Sequence, residues 1–584
     1  WVTPVESQVL GYMNVDYDNN KGTFSISLPV LPEGVFNDVD NNNQADKGVQ
    51  IFAASYWPNL AGGPYSEGDD PSFGWPGYLA SIKTDSENQN EVTGGMLVIW
   101  SPDDQQQFPT GFGADGLLFT QDDPVGKIPA GYSVIDLDQK PFKIIRDAEP
   151  ELTLYEPADL EVKDFSADTY LDSFNKMFAI VEKEYAFSNI PGKSPDWKAL
   201  KAEIEPMVQK AQDDKDGAAF YEAIRQFTLA FKDGHVGLSG GDYENEAYWQ
   251  AVSYGYGLGI RVLDDQQVIA SYITTGGPAQ YAGIQLGAVI TEMNGTPILD
   301  AIRAVKPYSG PFSASYTELY QQARYLTRAP QGTTATFTFT NPGGKPQQAT
   351  LISVDETESF DQSSTYRNMD RNALPVTFTV VPNLSVGYVQ INSNYDDLNL
   401  AVRLFERALN TFEANSLDTL IIDMRLNFGG APLGLAGYLT DQVIEMGQLE
   451  YYSEKTGKFE PDGIRDKIYP MSRQFEFKNK ILLVGDGCAS ACELEAYGFS
   501  QVPGMQVFGE TPTAGVEAEV ARGQFELPDG ISLQVPTGRF TLPDGSIFLE
   551  GTGVQPTHHV AVTAESVLSG SDSVLTAVAE YINQ

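Results

Sequence analysis

The sequence predicts a multidomain protein of the α/β-plus-β class, and three observations lead there. Its 584 residues exceed what one core of roughly 100–200 residues organises. The stretch 1–160 is rich in Tyr, Gly, Pro, Asp and Asn and carries short alternating runs with no sustained helical period, and strand-like runs return between about 245 and 355. From about 365 onward, strand-like and helix-like segments alternate, the pattern of an α/β core. Four regions follow: a β-sandwich-like N-terminal domain over 1–160, a helical segment over 161–240, a small β domain over 241–360 and an α/β core over 361–584.

In chain order, Thr23-Phe24-Ser25-Ile26-Ser27-Leu28 typifies the first region. Leu171, Phe174, Phe178, Val181 and Tyr185 then recur at spacings of three and four, an amphipathic helix. Trp197, Leu200, Ile204 and Val208 mark a second helix, and Phe220, Ile224, Phe227 and Phe231 a third that stops at Asp233-Gly234-His235. Strands are predicted around 257–260, 268–273 and 288–293, with a turn at Asn294-Gly295 and a short helix at 278–282. The core reads as strands at 386–391, 419–424, 481–484 and 506–508, with helices near 398–412, after Gly430 and after Ser490. Two copies of Leu-Pro-Asp-Gly, at 527–530 and 542–545, read as hairpin turns.

Composition narrows the function. A formal net charge of −42 repels phosphate backbones and anionic bilayers, which argues against nucleic-acid partners. The longest apolar runs fall far short of the roughly 18–20 residues a membrane span needs. The chain opens at Trp1 without an initiator Met or an apolar leader, so it reads as a trimmed, exported product: extracellular, cell-surface or periplasmic.

A hydrolase with a Ser or Cys nucleophile and an imidazole base must draw the base from three histidines, His235, His558 and His559. The best nucleophile setting is the run 480–493, a buried strand, a Gly turn, small residues and a helix start, with Ser490 at the helix N-terminus. The free N–H groups and dipole there stabilise negative charge; the same position also suits a plain N-cap serine. Gly429 and Gly430 follow another buried strand and either supply N–H donors to a ligand or make a tight helix-start turn. His558 and His559 remain rivals as the base, but with no helix or strand to aim them they read as a solvated pair beyond the last hairpin. Cys488 and Cys492 flank Ser490 at equal distance, within reach of a disulfide or packed as two small thiols.

With these motifs in order, the chain resembles the tail-specific, or C-terminal processing, serine peptidases, and among them the tricorn-like branch. The resemblance spans about 165–559 and rests on Asp233-Gly234-His235, Gly-Leu-Gly-Ile at 257–260, the run 277–284, Asp-Met-Arg-Leu-Asn-Phe-Gly-Gly at 423–430, Ala489-Ser490-Ala491, Gly509-Glu510-Thr511 and the run 550–556. It implies a tail-specific protease core, crotonase- and ClpP-like, with an inserted PDZ-like domain. It further implies Ser490 as nucleophile, His235 as general base and Glu550 as the third catalytic residue, with Glu493 and Glu510 as alternative carboxylates. The oxyanion hole would be the N–H groups of Ala491 and Gly429, with Gly430. A substrate's C-terminal carboxylate would dock on Gly257, Leu258, Gly259 and Ile260. Relatives of the bacterial type pair Ser with a downstream Lys, but no lysine follows Lys480, which leaves histidine as the base. Where tricorn-like enzymes place a Ser before the His, this chain has Gly234, and Ala288 stands where an Asp is common.

Asp38, Asp40, Asn42 and Asp46 space oxygen ligands as calcium loops do, without the closing Glu of a full loop. Any calcium there would be structural, and catalysis calls for no cofactor. The expected function is thus an exported serine endopeptidase acting on proteins or peptides. The alternatives are a catalytically silent peptide- or ligand-binding protein on the same fold, and a surface- or sugar-binding protein led by its N-terminal domain.

Overall fold

The computed structural model describes the chain except residues 1–10, 17–20, 27, 29, 30, 33, 42–46, 57–78, 86–90, 148, 149, 156–161, 368, 371, 382–384, 395–397, 463 and 584. It divides into two compact units, Trp1–Glu161 and Val162–Gln584.

The first unit is built on the ten-residue strand Val92–Ser101. One side of it pairs with Gly131–Asp136, which in turn pairs with Lys143–Ile145; the other pairs with Ile82–Thr84 and Gln50–Phe52. Alternation along the strand sends Leu97 and Ile99 into one apolar cluster and Val98 into another. Among the described residues this is one five-stranded sheet with short two-stranded ribbons, and no second large sheet faces it. Of the four candidate calcium ligands, Asn42 and Asp46 lie outside the described residues. Among the described residues no group of three or more His, Cys, Asp or Glu is placed to hold a metal.

The second unit opens with helices Tyr170–Glu184, Trp197–Asp214 and Gly217–Thr228, capped by Thr169, Asp196 and Asp216, whose side chains accept the N–H groups of the first turn. Their buried faces do not form a core of their own. Phe174, Phe178, Ile224 and Phe227 pack with Phe525, Leu527, Ile531 and Leu533 of the hairpin Gln524–Leu527/Ile531–Gln534. The segment 161–240 is therefore one body with strands from the far end of the chain. The Leu-Pro-Asp-Gly turn at 527–530 makes that hairpin.

The small β domain carries strands in the order Leu258–Val262, Val268–Ile273, Val289–Met293, Thr334–Thr340 and Pro346–Ile352, with Leu258–Val262 at the edge. Helices Ile298–Arg303 and Ser315–Leu326 close its core.

The last region is a six-stranded sheet in the order Val376–Val381, Val386–Ile391, Thr419–Asp423, Asn479–Leu483, Met505–Gly509, His558–His559. The first pair is antiparallel and the rest are parallel. Thr419–Asp423 is buried throughout, as an interior parallel strand covered on both faces must be. Leu420 and Ile422 face the core around Phe405, Phe412 and Phe499, while Ile421 faces Val574 and Val578 of the terminal helix Ser573–Ile582. The helix expected after Gly430 is only a short 3-10 turn, Leu435–Tyr438. No helix of the described chain is long and apolar enough to cross a membrane.

Candidate active site

Parallel strands aim their C-terminal ends at one edge of the sheet, and both glycine-bearing joints sit there. Strand Asn479–Leu483 runs into the turn that carries Ser490, and helix Ala491–Ser500 starts at the next residue. Ser490 holds φ +58°, ψ −132°, a region an L-residue adopts only when its surroundings enforce it. Its side chain makes no capping bond, so the N-cap alternative does not describe it. Instead its backbone is pinned. The N–H donates to the Val516 carbonyl at 2.8 Å, and the carbonyl accepts from Glu493 N–H at 2.7 Å. Cys488 and Cys492 form a disulfide across this turn, Cα to Cα 5.4 Å, and both are fully buried.

Gly429 lies against the same turn. A Cβ built on it would stand 2.8 Å from Ser490 Cβ and 3.0 Å from Ala491 N, and its φ is +99°. Its own N–H is not free towards Ser490, because Asn427 Oδ1 accepts it at 2.9 Å. This corrects the expectation that Gly429 donates to an oxyanion. The N–H groups of Ala491 and Gly430 have no acceptor among the described residues.

His235 follows the third helix and directly precedes strand Gly237–Ser239, which pairs with Ile531–Gln534. Its N–H donates to Asp233 Oδ1 at 2.9 Å and its carbonyl accepts from Gln534 Nε2 at 2.9 Å. The ring is buried, both ring nitrogens are without a partner, and burial pushes its pKa down to about 4, so the imidazole is neutral. In this state no hydrogen bond joins it to Ser490. The two are linked through Val516. Its side chain faces Gly234, where a Cβ would come within 2.7 Å of Val516 Cγ2, and its carbonyl holds Ser490 N–H.

Glu550 is buried beside this group but is not bonded to His235. Lys193 pairs with its Oε1, and Oε2 accepts Glu517 N–H at 2.8 Å. Burial and the neighbouring Asp233 carboxylate raise its pKa, against the pull of Lys193. Glu493 accepts Val516 N–H at 2.7 Å and the Thr513 hydroxyl at 3.0 Å, and burial pushes its pKa up to about 8. Glu517, buried between Glu493 and Glu550, is likewise raised. Glu510 is elsewhere: it accepts the Ser573 hydroxyl at 2.6 Å. So are the rival histidines, which occupy the edge strand of the core sheet. His558 stacks on Phe508 and bonds Gln506 Oε1 at 2.9 Å, and His559 bonds Asp264 at 2.8 Å. A two-residue strand beyond a proline left no periodic signal to place them.

At the small β domain, Gly257 N–H is already taken by Glu356 Oε1 at 3.1 Å. Glu356 is held in turn by Arg328 in a buried ion pair, by Thr274 Oγ1 at 3.2 Å and by Ser359 N–H at 3.1 Å. The first of the four expected carboxylate-binding amides is thus filled by the chain itself.

Sequence reasoning passed over Lys193, Asp233, Asn427, Val516 and Glu517. Asp233 was visible only as part of a helix stop, Asn427 and Val516 as neighbours of motif glycines, and Lys193 sits in a loop without any motif.

Residues 385–560 match the family model for peptidase family S41. No curated protein matches the chain. Among solved structures, mature CPAF complexed with lactacystin aligns at 14% identity and TM-score 0.51, over 71% of this chain and 98% of that one. A second structure of mature CPAF aligns at 14% identity and TM-score 0.50, over 72% and 96%. At such identity the likeness is one of fold. The matched segment holds the Ser490 turn, the paired glycines and Glu550, and over these residues the chain is similar to peptidase family S41.

Proposed function

We propose that the protein is an exported endopeptidase in which Ser490 attacks the peptide carbonyl and His235 is the general base. Neutral His235 takes the Ser490 hydroxyl proton as Oγ bonds to the carbonyl carbon, then returns it to the leaving amine; water hydrolyses the acyl-enzyme by the same route. The N–H groups of Ala491 and Gly430 receive the oxyanion. Glu550 carries negative charge beside the imidazolium that forms. The observation that carries this reading is the enforced left-handed backbone of Ser490 beside an unengaged helix-start N–H. A capping serine needs no such strain.

The small β domain is read as PDZ-like, with its edge strand Leu258–Val262 open to an added peptide strand. The buried disulfide supports an oxidising compartment. Calcium, if Asp38, Asp40, Asn42 and Asp46 bind it, is structural and takes no part in the chemistry.

A fluorophosphonate probe tests the site. Wild type labels and cleaves casein, while Ser490→Ala and His235→Ala lose both. A labelled Ser490→Ala variant would move the nucleophile elsewhere, and a folded, unlabelled wild type that holds peptides would favour the silent binding protein.

A further inference from the structure

Lys193 lies in the loop between helices Tyr170–Glu184 and Trp197–Asp214, its side chain 14% exposed. An ammonium has three N–H donors, and three acceptors surround this one. They are the Glu550 carboxylate, the Lys232 carbonyl at 2.8 Å and the Ser313 carbonyl at 3.3 Å. Each acceptor comes from a different segment: the Glu550 turn, the turn that ends at His235, and the loop before helix Ser315–Leu326. Ser313 extends the connection, because its hydroxyl accepts Gly234 N–H at 2.8 Å. Resting on the Ser490–His235–Glu550 reading above, we propose that Lys193 is a positioning residue for the peptidase reaction: its ammonium sets the spacing between the His235 turn and Glu550 and favours the carboxylate form of Glu550.

The charge inventory around Glu550 supports this role. Asp233 faces it from the turn that ends at His235, Tyr185 from the loop after the first helix, Glu517 from the segment beside Ser490, Glu493 from the helix that follows Ser490 and Tyr316 from helix Ser315–Leu326. Among the described residues, Lys193 is the one cation in ion-pair contact with any of the four buried carboxyl groups Asp233, Glu493, Glu517 and Glu550. Without it, buried carboxylates this close take up protons. A protonated Glu550 has no charge to offer the imidazolium formed when Ser490 attacks.

The test is the pH profile of kcat/KM for wild type, Lys193→Met and Lys193→Arg, with labelling of Ser490 in parallel. Since His235 is neutral down to about pH 4, an acid limb above that value reports the buried carboxyl groups that Lys193 faces and not the imidazole. Lys193→Met is expected to lower kcat about 100-fold, in the range of general acid–base contributions, with KM changed less than about threefold. Its acid limb moves up by at least one pH unit. Lys193→Arg recovers most of the rate and the original limb. A purely structural role would lower the amplitude and leave the limb in place, and an unshifted limb overturns the proposal. Should Lys193→Met not fold, Lys193→Met in a Glu550→Gln background decides. A lysine acting through Glu550 costs little further labelling rate there, and an additive loss overturns the proposal. An unlabelled wild type would instead sink the underlying Ser490 reading.

Discussion

Gly429 shows how tightly single residues are constrained at this site. A Cβ on it would stand 2.7 Å from the Ala489 carbonyl oxygen and 2.8 Å from Ser490 Cβ, and its N–H is anchored on Asn427. Gly429→Ala therefore drives a methyl group against the Ser490 turn and the Ala491 N–H, at a φ that favours glycine. We expect kcat to fall at least about 100-fold, the scale of losing one oxyanion donor, while Tm moves only a few degrees; an active variant would place the scissile carbonyl elsewhere. The strand-to-helix turn that carries Ser490 was legible from sequence because small residues around a serine mark such a joint, whereas the roles given to Ser490 and His235 rested on the resemblance. Lys193 was not legible, because its role depends on acceptors at 232, 313 and 550 that only the folded chain brings together.

Among elements, the segment 513–517 does the joining. Ala514 N–H donates to the Cys488 carbonyl at 2.8 Å, Val516 bonds Ser490 and Glu493, Gly515 accepts Gly551 N–H at 2.7 Å, and Glu517 N–H bonds Glu550. It has no regular secondary structure, so neither periodicity nor turn chemistry revealed it, whereas the buried strands at 419–423 and 479–483 stood out as apolar runs. Glu493 ties this segment to the nucleophile helix, and its titration gives a measurable consequence. Its pKa is raised from 4.5 to about 8 in the folded protein, so between those values the folded chain binds the proton that the unfolded chain has released. Stability then falls as pH rises from about 4.5 to about 8 and is flat in this respect beyond. Thermal unfolding across pH 4–9 should show a shallower decline for Glu493→Gln than for wild type, and parallel curves would contradict the assignment.

For the whole molecule, the sequence showed the strand-rich and helix-rich regions but not that 161–240 shares its core with 524–535. Apolar stripes mark which residues are buried without saying against what. The small β domain yields the prediction at this scale. If it receives substrate C-termini, peptides with a free carboxylate bind better than the same peptides amidated, and Glu356→Ala widens the difference by exposing Gly257 N–H and Arg328; equal binding by both proteins would remove that role. The long-range construction also has a consequence in time. Translation delivers His235 first and Ser490 255 residues later. The strand Ile531–Gln534 that seats His235 and the Glu550 turn follow only after that. A nascent or prematurely ended chain stopping before residue 524 therefore carries Ser490 with no strand to seat His235 and no Glu550, so on the proposed function the ability to cut protein arrives last in synthesis.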